Sequence, residues 1–193
     1  MQSEFATYFQ LGIQHIADIK AYDHILFIIA LCAIYKPESW RRILILITAF
    51  TIGHSLTLAL SALDIIHFPQ QVIEFLIPVT ILITALLNFK ADLNAVRLPF
   101  WKYVQPLVFG FIHGMGFSNY FKSLMGKEES VVKPLFAFNL GIEVGQLGII
   151  TCLFLAAYFV IKLLKLEHKI WAYGLSVAAA IMAIYLMYET KFW

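Results

Sequence analysis

Apolar residues run along this chain in long blocks, and polar residues interrupt them at intervals that suit a bilayer better than water. Ile, Leu, Val, Phe and Ala dominate Ile25–Tyr35, Ile43–Ile66, Val72–Phe89, Val104–Phe121, Leu135–Leu164 and Ile170–Tyr188. A helix crosses a bilayer with about 20 apolar residues, so the pattern predicts about six transmembrane helices. The first block is short. Its apolar run starts only after Asp23 and His24, so its helix is expected to begin earlier, with a polar approach from Gly12. Turn-forming residues separate the blocks: Lys36-Pro37-Glu38-Ser39, His67-Phe68-Pro69, Arg97-Leu98-Pro99 and Gly126-Lys127-Glu128-Glu129. Pro78 and Pro106 fall inside or at the start of blocks, where each can kink a helix. No strong internal repeat is visible.

Composition sharpens this picture. The chain is 61% hydrophobic and 13% charged, against about 45–50% and 25% in soluble domains. It has too little polar surface to cover an apolar core in water. The expected fold class is all-α, a polytopic membrane bundle forming one transmembrane domain over residues 1–193. Met1-Gln2-Ser3-Glu4 lacks the basic segment of a secretory leader, so the first apolar block is expected to be retained. A net charge of +2 gives no footprint for nucleic acid. Cys32 and Cys152 sit inside apolar blocks and read as packing residues.

Lysine and arginine set an orientation. Lys36, Arg41, Arg42, Lys90, Arg97, Lys102, Lys162, Lys165 and Lys169 follow the first, third and fifth blocks; Lys20, Lys122, Lys127, Lys133 and Lys191 lie on the other side. Nine against five predicts both termini outside the cytoplasm.

With that orientation, the polar residues inside or at the start of the blocks share a depth. Asp23, His24, Glu74, Asn139 and Glu143 come early in inward-running blocks, and His54 and His113 come at or past the middle of outward-running ones. All seven fall in the outer half of the membrane. A charged side chain at the bilayer centre costs about 2.5–3.5 kcal/mol on insertion scales, so such residues persist where they pair, line a cavity or function. Asn139, Glu143 and Gln146 share one helical stripe, and Ser55 lies beside His54 on a face with Thr51 and Thr57. Gly110-x-x-x-Gly114 and Gly141-x-x-x-Gly145 permit close helix approach and suggest that the fourth and fifth blocks pack together, bringing His113 near Glu143.

Neutral imidazoles with carboxylates suit nickel, cobalt or zinc. The candidate ligands are His24, His54, His113, Asp23 and Glu143. Glu74, Ser55, Asn139 and Gln146 are candidates for the surrounding hydrogen bonds or a substrate path. His15 and Asp18, three apart ahead of the first block, read as the approach to that site or as a surface pair. Each residue also has a plainer reading: interhelical hydrogen bonding for the histidines and Asn139, a helix cap for Asp23, solvation for Glu74.

Tyr22-Asp23-His24-Ile25-Leu26-Phe27, Phe50-Thr51-Ile52-Gly53-His54-Ser55, Phe109-Gly110-Phe111-Ile112-His113-Gly114 and Phe138-Asn139-Leu140-Gly141-Ile142-Glu143 resemble HupE/UreJ membrane proteins, in a divergent second branch of that family. The resemblance implies a multi-pass protein of the cytoplasmic (inner) membrane with hydrogenase or urease accessory roles and nickel or cobalt uptake. Two other functions stay open. One is an intramembrane zinc hydrolase of a lipid or lipid-linked substrate, with Glu143 or Glu74 as general base. The other is a metal-sensing or structural subunit. The expected partners are membrane lipid and a divalent metal; a homo-oligomer is left open.

Overall fold

The computed structural model describes residues 3–93, 95, 98–125 and 130–193. Met1, Gln2, Asn94, Val96, Arg97 and Gly126–Glu129 lie outside the described residues. The rest form seven α-helices: α1 (Glu4–Ile16), α2 (Asp23–Cys32), α3 (Trp40–Ala62), α4 (Gln70–Asn88), α5 (Trp101–Met125), α6 (Val132–Leu163) and α7 (His168–Glu189). A short 3-10 turn, Pro37–Ser39, leads into α3. No strand occurs among the described residues. Among the described residues, four stretches are long and apolar enough to cross a membrane: Pro37–Ala62, Gln70–Asn88, Val132–Leu163 and His168–Glu189.

Polarity is distributed inside out. Ile52, Leu155 and Ile181 are more than half exposed on the outer surface, whereas His54, Gln146 and Ser176 are sealed inside. A bundle surrounded by hydrocarbon places its polar groups this way, because only the interior can satisfy them.

The first apolar block differs from its expected form. It is not one helix with a polar approach but two, α1 and α2, joined by the exposed residues 17–22. Asp18 Oδ1 accepts the Lys20 backbone N–H at 2.8 Å, a local turn that competes with helix. A continuous helix would press Asp18 and Lys20 between apolar neighbours; the break lets both face outward.

Contacts fix the helix directions. Phe5 lies beside Phe136, Gly12 against Phe138, and Ile16 against Gly145, so α1 and α6 run parallel. Likewise Phe50 meets Gly110 and Thr57 meets Gly114, so α3 and α5 run parallel. Tyr8 reaches Leu124 O and His15 packs on Phe117, so the first pair runs opposite to the second. Asn88 meets Ser176 while Phe75 meets Phe192, making α4 and α7 antiparallel.

This arrangement contains a repeat. If α1 and α2 count as one element, α1/α2-α3-α4 corresponds in order to α5-α6-α7 with inverted direction, by the helix directions and the glycine contacts. Gly12 and Gly110 are equivalent: a Cβ on either would collide with a phenylalanine carbonyl, Phe138 or Phe50, and lie 3.0 Å from the backbone nitrogen four residues on, Ile142 N or His54 N. Gly53 and Gly141 are equivalent in the same way, facing the Leu107 and Phe9 carbonyls. The sequence echoes are Gly12-x-x-His15 with Gly110-x-x-His113, and Phe50-x-x-Gly53 with Phe138-x-x-Gly141. Each crossing is backbone on backbone, which small residues alone permit.

The glycine patterns therefore pair helices other than those expected from sequence. Gly110 and Gly114 of α5 pack on α3, and Gly141 and Gly145 of α6 pack on α1, not on each other.

Gly110→Ala is expected to lower the melting temperature in detergent, because its methyl meets backbone that cannot rotate away; overpacking costs about 1–3 kcal/mol. Gly148→Ala, with nothing within 4 Å of its Cβ, is the control and is expected to melt like the parent.

Candidate metal centre

The break between α1 and α2 brings two histidines to one place. His15 closes α1, and Asp23 and His24 open α2. His54 arrives from α3, one residue beyond Gly53, and His113 from α5, three beyond Gly110. Ring nitrogens of His15, His24 and His54 lie within 4.8 Å of one another, and so do ligand atoms of Asp23, His24 and His113. His24 belongs to both groups. Its ring centroid is 4.6 Å from that of His15 and 5.0 Å from that of His113.

The hydrogen bonds leave the ligand atoms free. Thr80 Oγ1 has one proton and directs it to Ile77 O at 2.7 Å. It must then accept from His113 Nε2, 3.0 Å away. That fixes the tautomer and leaves a lone pair on His113 Nδ1. His24 Nδ1 donates to Asp23 Oδ1 at 3.2 Å, which leaves His24 Nε2 as the free nitrogen. Carboxylates and hydroxyls orient metal-binding imidazoles in this manner. His15 Nε2, His24 Nε2, both nitrogens of His54 and His113 Nδ1 are buried without a hydrogen-bond partner. One such atom costs about 1–3 kcal/mol. Each of the four imidazoles offers at least one such nitrogen, and the two overlapping groups that share His24 fit a divalent cation held by imidazole.

The walls are aromatic. Phe50 and Phe27 each lie 5.2 Å from His113, and Phe117 lies 3.8 Å from His15. They exclude water on the protein side. On the other side a cavity of about 980 Å³ opens, lined by His15, Asp23, His24 and His113, with Glu74 and Tyr120 toward its mouth. At the same end Lys122 pairs with Asp64 in the α3–α4 connection, and Lys122 with His67 holds the Asp64 carboxyl below its usual range.

The other candidates lie around this centre or apart from it. Glu74 is exposed on the cavity lining and accepts from Gln70 Nε2 at 3.1 Å. Asp18 is exposed in the α1–α2 connection. Ser55 Oγ donates to Thr51 O on its own helix at 2.6 Å, and Gln146 accepts from Thr51 Oγ1 at 3.1 Å. Asn139 is half-buried, with Oδ1 lacking a partner. Glu143 is half-buried on α6 and belongs neither to the two ligand groups nor to the cavity lining. Its helix α6 packs chiefly on α1, whereas α5, which carries His113, packs chiefly on α3.

Sequence reasoning passed over the residues beyond the centre. Thr80, Thr84 and Asn88 are buried, spaced four apart on α4, and continue away from His113. Their helical spacing was the available signal; as neutral residues in an apolar block they drew no attention.

A model of the family described as HupE / UreJ protein matches residues 1–190. No curated protein and no solved structure matches the chain.

Thr80→Val is expected to weaken nickel, cobalt and zinc binding by about 10–100-fold, with recovery in Thr80→Ser, measured by competition with a chromophoric chelator. Glu143→Gln is expected to bind like the parent; a loss as large as that of Thr80→Val would return Glu143 to the centre.

Proposed function

The chain belongs to the HupE/UreJ family, and we propose that it is a divalent transition-metal permease that takes up nickel or cobalt. In this reading the metal is cargo, held by His15, His24, His54 and His113 with Asp23. The chain crosses the cytoplasmic membrane six times, with α1 and α2 sharing one crossing, and both termini and the cavity face outward. The whole chain is one transmembrane domain. The supporting observation is the inverted repeat, with a broken helix at its centre. Transporters that alternate access to two faces are commonly built from such repeats, with the binding site near midplane on a discontinuous helix. The N-terminal end of α2, nearest the candidate ligands, carries Asp23 in its first turn, where an acid offsets the positive helix dipole and leaves the site suited to a cation.

One observation favours a second reading. A compact set of imidazoles with a carboxylate, opening on a roomy cavity with Glu74 in its wall, is also the layout of a hydrolytic zinc site, in which bound water reaches a pKa of about 7. A lipid-linked substrate would then enter from the side.

Purified protein in vesicles loaded with a metal-sensitive dye separates the two. Nickel or cobalt added outside is expected to reach the dye with the parent and not with a His54→Ala/His113→Ala variant. Tightly held zinc without flux of any metal would turn the assignment to the hydrolase.

A further inference from the structure

We infer that a neutral polar stripe on α4 is the closed half of the metal's path, leading from the histidine centre to the opposite membrane face; this rests on the transport reading. The stripe starts where the centre ends. His113 bonds Thr80, Thr84 Oγ1 donates to Thr80 O at 2.8 Å, and Gln105 Nε2 donates to Thr84 Oγ1 at 3.2 Å. One turn on, Asn88 Nδ2 donates to Ala30 O at 2.7 Å and to Ser176 Oγ at 2.9 Å. Thr84, Asn88 and Ser176 are no more than 3% exposed. Packing alone does not call for them, since Leu or Val would fill the same space without desolvating polar groups.

Two features give the stripe a direction. The inversion that relates the two halves carries α1/α2, α4 and α5 onto α5, α7 and α1/α2. It therefore carries the open cavity to a region at the far end between α5, α7 and α2. Gln105, Ser176 and Ala30 stand on those three elements, and the stripe runs among them. Second, α4 and α5 are each interrupted by proline, Pro78 and Pro106. Proline removes a helical hydrogen bond and allows bending beside Thr80 and Gln105. The stripe is closed by hydrogen bonding: each bond occupies an oxygen lone pair that a passing cation needs. Bending α4 away from α2 and α7 would free those oxygens. None is charged, so a cation would be solvated there without being trapped.

The test uses the full chain in vesicles, with nickel as the probe. Thr84→Val and Asn88→Leu are expected to bind nickel as the parent does but to lose flux, whereas His54→Ala loses binding. Should Asn88→Leu fail to fold, thiol labelling decides. In a Cys32→Ala/Cys152→Ala background, Glu74→Cys is expected to react with an impermeant reagent from the cavity face, and Thr84→Cys from the opposite face during nickel turnover. Undiminished flux in Thr84→Val, or labelling of Thr84→Cys only from the cavity face, overturns the inference. Absence of flux in the parent overturns the transport reading and this inference with it.

Discussion

Two backbone-on-backbone crossings organise this bundle. At each, a glycine of one helix faces a carbonyl of its parallel partner, and the partner's glycine answers: Gly12 with Gly141, Gly53 with Gly110. In hydrocarbon there is little hydrophobic drive to bring helices together, so close van der Waals approach must supply it. The same contact also sets register, because carbonyl oxygens fit only where a side chain is missing. Everything that follows in the helix is thereby placed. His54 follows Gly53 directly, and His15 and His113 each stand three residues beyond their glycines. Three candidate ligands from three helices are thus positioned by backbone geometry.

The break between α1 and α2 brings in the fourth candidate ligand, His24. A continuous helix would place His24 more than two turns beyond His15, on average about 13 Å along the axis. The looped-out residues 17–22 remove that separation and bring the two rings to 4.6 Å. They also open the cavity mouth, since a straight helix would fill it. One local feature, the turn at Asp18, thus places both a candidate ligand and the residues that line the cavity beside it.

How much of this the sequence disclosed depends on the kind of signal. Apolar blocks and breakers located the long helices to within a few residues, because burial in lipid imposes a coarse, one-dimensional constraint. His24, His54, His113 and Asp23 stood out because charge or imidazole in an apolar block is costly. Helix partners were not legible. Gly110-x-x-x-Gly114 and Gly141-x-x-x-Gly145 announce close approach but not toward which helix, and assigning them to each other drew Glu143 toward a centre from which the fold separates it. The split of the first block was hidden because Asp18 and Lys20 read equally as the polar approach to a single helix. The repeat was hidden for another reason: its two echoes are single pairs of residues, Gly with His and Phe with Gly, too sparse to register until the crossings make them equivalent.

The contrast between the centre and the stripe carries a final point. A site that captures a dilute cation benefits from imidazole and carboxylate; a path that lets it leave does not. Had Thr84 or Asn88 been acidic, a metal passing from the histidines would meet a second deep well and stay. Hydroxyl and amide oxygens lower the desolvation barrier while binding far more weakly, and the hydrogen bonds that they exchange at rest keep the buried groups satisfied in a bundle with no water to do so. On the transport reading, the neutrality of Thr80, Thr84 and Asn88 below His113 is what release requires.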